Sequence, residues 1–188
     1  MVFRVEGMQA EKPALPGSPS ILTDVLITIE YSWYLGHPMV QKEDAIVVNW
    51  DSSLFILADN TFHSADYRYL PMSSVTMTLN EHSNPADIIQ GGLGYYANLY
   101  NIPSNPATPI VFSGNASFLL KARTKLYASD TYPSSVKYTP IGAKYTHDKN
   151  PVGLGLSFSY GGFGSSVSPG PLQDTVGGSY QIKYSMPN

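Results

Sequence analysis

Cysteine is absent from this chain of 188 residues. That excludes a disulfide framework and any thiolate metal site, and it leaves the compartment open. Charge is scarce as well: Asp, Glu, Lys and Arg together make up 13% of the residues, with a net charge of −3. No strongly basic tail exists, so any binding to nucleic acid has to come from cations gathered on a folded surface. No hydrophobic run approaches the ~20 residues that a membrane-spanning helix needs. The opening segment, MVFRVEGMQAEKPALPGSPS, has charges and prolines where a signal peptide has a continuous apolar stretch, so synthesis in the cytosol is expected. HExxH, GxSxG, a Walker loop and a dinucleotide fingerprint are all missing. The glycine clusters GGLG (91–94) and GGFG (161–164) do not end in Lys-Ser/Thr between a strand and a helix, and read as turns. No cofactor, metal site or catalytic residue is expected, and the chain does not read as an enzyme.

What is present is β-forming sequence. Val, Ile, Thr, Tyr and Phe are abundant, and 16 Gly and 15 Pro punctuate the chain. In LTDVLITIEYSWYL (22–35), Val25, Ile27, Ile29, Tyr31 and Trp33 recur every second residue and so share one face of a strand. DAIVVNW (44–50) and SLFILA (53–58) read as strand broken at Asp51-Ser52. Further strands are expected over 71–80, 92–101, 110–127, 136–147 (broken at Pro140), 152–160 and 178–185. That makes about eight strands joined by connections too long for tight hairpins, which suits Greek-key crossings. The expected fold is all-β: an eight-stranded jelly-roll β-sandwich over 21–188. Short helices are expected only in loops, near Thr61–Tyr67 with Thr61 as N-cap and near Asn84–Gln90. Residues 1–20 read as an N-terminal arm, because Pro13, Pro16, Gly17 and Pro19 oppose helix and central strand alike.

Charge is unevenly distributed along the sequence. Residues 1–100 hold four Lys/Arg against eleven Asp/Glu, whereas residues 101–188 hold seven against three. Lys121, Arg123 and Lys125 are spaced by two, which on a regular strand puts three cations on one face. They read either as a solvated outer face or as an anchor for phosphates or for an acidic neighbouring subunit. The four histidines, His37, His63, His82 and His147, fall at expected strand ends or in loops and lack zinc-ligand spacing. Tyrosine occurs 14 times, which suits both sheet packing and subunit interfaces.

Three stretches carry a family resemblance. FHSADYRYLPMSSVTMTL leads an aromatic segment into a strand. YYANLYNIPSNPATPIVFSGNASFLL ends a strand in the loop Ile102-Pro103-Ser104-Asn105-Pro106-Ala107-Thr108-Pro109. VGGSYQIKYSMPN closes the chain with a strand and a short tail. With the proline-rich arm in front, this order resembles the single jelly-roll coat proteins of small icosahedral RNA viruses, tymoviruses in particular. Ala128 to Asn150 has no counterpart in letters, and the GGFG loop is longer and richer in glycine than the family pattern. The resemblance implies a capsid protein that self-assembles in many copies into an icosahedral shell, without a membrane. It implies a location in the virion and weak contact with an RNA genome through folded residues. Lys121, Arg123 and Lys125 are the candidates for phosphate or intersubunit contact, and the resemblance adds His63 and His147. The alternative is a monomeric β-sandwich module of carbohydrate-binding or adhesin type, with Trp33 and Trp50 stacking on sugars. A cupin-type enzyme would require clustered His and carboxylate ligands.

Overall fold

A computed structural model of the chain describes residues 1–12, 18–33, 44–69, 76–82, 85, 87–97, 111–148, 158–161, 164–167 and 173–187. In chain order the strands are β1 (Val2–Lys12), β2 (Ile21–Trp33), β3 (Asp44–Asn49), β4 (Phe55–Leu57), β5 (His63–Tyr69), β6 (Thr76–His82), β7 (Asp87–Ile89), β8 (Gly92–Ala97), β9 (Val111–Tyr127), β10 (Val136–Asp148), β11 (Phe158–Gly161), β12 (Gly164–Val167) and β13 (Gln173–Ser185). A single 3-10 turn, Pro133–Ser135, is the only helical element among the described residues.

Every strand pairing is antiparallel, and the pairings build two layers. In the first, β1 pairs β2 and β2 pairs β9. The far edge of β9 takes β5 along 111–117 and β4 along 120–122, and β6 lies outside β5. In the second layer the order is β13, β10, β3, β8, β7. The ladders of the two layers meet at one residue pair, Ser185 with Tyr127, and β1 lies against β13. The β11–β12 hairpin stands beside β3 and β8. The protein is therefore an all-β sandwich.

The core is what that alternation delivers. Val25, Ile27, Ile29 and Tyr31 of β2 are all buried, together with Phe118 and Leu120 of β9. They meet Ile46 and Val48 of β3, Leu93 and Tyr95 of β8, Ile141 and Tyr145 of β10 and Ile182 of β13 in one cluster. Trp50–Phe118 and Tyr31–Tyr145 are ring contacts across the layers, with centroids 6.1 and 5.6 Å apart.

Four expectations need correction or division. The helix expected near Thr61–Tyr67 is strand β5, because β9 offers it a full ladder. Thr61 caps no helix: its hydroxyl donates to Ala58 O (2.8 Å) and accepts from Leu119 N (3.2 Å), tying the β4–β5 connection to β9. Near Asn84–Gln90 the described residues include strand β7, with Asn84 outside them. Pro140 does not break β10; β3 pairs β10 only from Gly142 onward, so among the described residues Pro140 has β13 as its one strand neighbour, and a proline fits such an edge when its ring nitrogen faces away. The segment read as an arm divides: Val2–Lys12 is a strand paired to β2, Pro19 is exposed, and Pro13, Pro16 and Gly17 lie outside the described residues.

Candidate functional site

A broad concavity forms where the connection from β3 to β5 faces β7. Asp51 starts it. Its Oδ1 accepts from Ser53 N (2.9 Å) and Ser53 Oγ (2.6 Å), and its carbonyl accepts from Leu54 N and Phe55 N. An Asp supplies such a turn because its short side chain reaches its own backbone two residues on. Arg123 then locks the turn to β9: its backbone N–H donates to Leu54 O (2.7 Å) and its guanidinium to Ser52 O (3.1 Å). On the opposite wall, Trp50 N–H donates to Gly91 O (2.9 Å). Gly91 has φ +88, and an added Cβ would lie 3.0 Å from Trp50 O, so a glycine is required at this corner.

Between these walls lies a cleft of about 800 Å³. Trp50, Phe55 and Phe62 form its buried side. Ile56 and Ile88 stand at its mouth, 52% and 54% exposed, and Arg123 lines it too. Two large aliphatic side chains left half in water beside an aromatic floor suit an apolar occupant, and the guanidinium suits a hydrogen-bond acceptor or anion at one end of it. The arrangement can bind or dock. Asp59 is the one carboxylate among its described lining residues.

The three cations of β9 divide their roles. Between Leu22 and Asp24 the β2 register shifts, so that Asp24 opposes Lys121 while Leu22 opposes Leu126. This bulge interrupts the two-residue repeat, leaving Arg123, Thr124 and Lys125 all exposed in succession. Lys121 stands opposite Asp24, Arg123 turns to the cleft, and Lys125 Nζ lies 5.3 Å from the Tyr127 ring centroid. Interaction with Tyr127 raises the Lys125 ammonium above its ordinary pKa range. His63 is exposed at the start of β5, opposite Ser117 of β9. These four are exposed.

His147 is not exposed. It is fully buried, with Nδ1 2.6 Å from Asp44 Oδ1, so a surface contact to nucleic acid is corrected to an interior polar contact. It belongs to a cluster at the other end of β3 from the cleft. Tyr145 donates its hydroxyl to Asp44 and accepts from Trp33 Nε1 (3.0 Å), and Tyr31 donates to Asp66. Burial first, and then the nearby carboxylates, push the hydroxyls of Tyr31, Tyr95 and Tyr145 well above their ordinary pKa of 10.0, so they stay protonated as donors. Neither tryptophan is an open stacking platform: Trp50 is buried against Phe118 and Trp33 is committed to Tyr145.

Sequence reading missed Ile56 and Ile88, because isolated aliphatic residues in short strands read as core. It missed the Asp44–His147 pair because the two lie 103 positions apart. Among the described residues no group of three or more His, Asp or Glu could hold a metal ion, and no helix is long and apolar enough to cross a membrane. No protein-family model matches the chain, and no curated protein matches it.

Proposed function

We propose that this chain is a coat protein that assembles in many identical copies into a closed icosahedral shell around a viral RNA genome. One observation carries the reading: large apolar side chains are exposed on two opposite flanks of the sandwich. Val2 and Met8 of β1, with Leu26 of β2, stand on one flank; Ile56 and Ile88, at β4 and β7, stand on the other. A subunit with exposed apolar side chains on both flanks can take a neighbour at each, and repetition around symmetry axes closes the array. The exposed Lys121, Arg123, Lys125 and His63 supply local phosphate contacts, in keeping with a chain of weak net charge.

Negative-stain electron microscopy and light scattering of the purified chain test the proposal. Uniform closed particles are expected, with RNA recovered from them. A species of 20.5 kDa that persists at every salt concentration and pH overturns it. The cleft favours a second reading, a monomeric sandwich module holding a ligand between Ile56 and Ile88. A stoichiometric ligand bound by such a monomer would establish that reading in place of the shell.

A further inference from the structure

We infer that β1 is a self-complementary edge, and that two copies of the chain join there by antiparallel β1–β1 pairing about a twofold axis centred on Val5. This rests on the self-assembly proposed above and specifies one of its contacts.

The edge is open: among the described residues β1 pairs with β2 alone, along its whole length. An open edge presents unused N–H and C=O groups, and natural edges are blunted by proline, charged side chains, bulges or an inward-pointing charge. β1 carries exposed charges and a register shift at Ala10/Glu11 near its end, but the central pair Arg4 and Glu6 is of opposite sign, which a second copy can complement. The inward residues of β1, Phe3, Val5 and Gly7, are partly buried, and its outward residues are Val2, Arg4, Glu6, Met8 and Ala10. Val2 is 51% exposed and Met8 70%. The edge is also held ready. Gln9 reaches β13, where its amide donates to Lys183 O (2.8 Å) and accepts from Lys183 N (3.2 Å), so the end of β1 is fastened to the second layer.

The outward residues determine the register. A twofold antiparallel pair sets each residue opposite one equally far on the other side of the centre. Centred on Val5, Arg4 faces Glu6 of the second copy and Glu6 faces its Arg4. Val2 faces Met8, and Met8 faces Val2. Moving the centre to Arg4 sets two arginines against each other, and moving it to Glu6 sets two glutamates against each other. Opposite charges and apolar pairs across strands stabilise, and like charges directly opposite destabilise. Only the Val5 centre satisfies all four positions, and it runs the first layer continuously across the pair. Arg4 and Glu6 already lie 3.3 Å apart within one chain, both well exposed, so each can turn to the second copy without leaving a buried charge.

A charge-swap series in the full chain, read by sedimentation velocity, tests this. Arg4→Glu and Glu6→Arg should each weaken self-association by at least about tenfold, with the circular dichroism of the wild type. An equimolar mixture of the two variants should recover association, because an edge carrying two carboxylates then faces an edge carrying two guanidinium groups. The double reversal R4E/E6R should recover it too. If both single variants associate like the wild type, or if the mixture associates no better than its components, the β1 pairing is wrong. Wild-type particles that survive both reversals would remove this contact and leave the shell standing. Wild-type dimers that never enlarge, yet respond to the reversals as described, would keep the contact and remove the shell. A wild type that is monomeric throughout overturns both.

Discussion

Gly114 shows how one missing atom organises the interior. It lies on β9 between Tyr31 of β2 and Asp66 of β5, as the central member of a row across three strands. An added Cβ would overlap the Tyr31 hydroxyl and ring, so the gap lets the phenol cross β9 and donate to Asp66. Gly114→Ala should therefore displace Tyr31 and cost about 2–4 kcal/mol in urea unfolding, from overpacking and a weakened buried hydrogen bond together. The tyrosines are not equivalent. Tyr31→Phe removes a donor from a buried carboxylate and should cost about 1–3 kcal/mol. The hydroxyl of Tyr95 is buried without a hydrogen-bond partner among the described residues, so Tyr95→Phe should leave stability unchanged or raise it in the same assay. Because the folded pKa values of Tyr31, Tyr95 and Tyr145 lie above the unfolded value of 10.0, the unfolded chain loses these protons first as pH rises. Their contribution is complete below about pH 10 and falls above it. Thermal melts taken across that pH should show Tm falling on the alkaline side, less steeply in Tyr95→Phe.

The alternating strand β2 was legible in the sequence; the identity of its neighbours was not, and β1, which alternates as well, read as an arm. The inward set Val25, Ile27, Ile29 and Tyr31 was readable from spacing alone, since period two leaves no other way to bury them. The break between β3 and β4 was readable because Asp51-Ser52 is turn chemistry. The β9 bulge was not, because it depends on the register of a partner strand about a hundred positions away. Nor was β5, whose polar segment HSADYRY becomes strand through pairing with β9 on one side and β6 on the other. Gln9 makes the seam between β1 and β13 testable. Gln9→Ala deletes two hydrogen bonds to Lys183 and should cost about 1 kcal/mol, since the site is exposed. Amide hydrogen exchange along β1 should quicken more than along β2 or β9, marking local release of the edge.

The two apolar flanks belong to the molecule as a whole, because each is assembled from strands distant in sequence. Ile56 and Ile88 reach one cleft only when β4 and β7 come from different layers. Ile56→Asp with Ile88→Asp should leave the fold intact, because both side chains are already half in water. It should shift the purified chain toward smaller species by light scattering. Unchanged particles would exclude the cleft from the assembly contact. The candidate surface was thus half legible: Lys121, Arg123, Lys125 and His63 are exposed as their polarity suggested, whereas His147 found a carboxylate inside the sandwich.

Alternation and turn chemistry are local, so the chain's letters alone were enough to specify β-structure, the break at Asp51-Ser52 and the inward face of β2. Which carboxylate meets His147, which strand bulges and which edge stays open are relations between segments far apart along the chain. Antiparallel pairing satisfies the same backbone groups whichever strand lies alongside. The choice among partners therefore fell to packing between the layers, through contacts such as Tyr31 across Gly114, which exist only after the sandwich has closed.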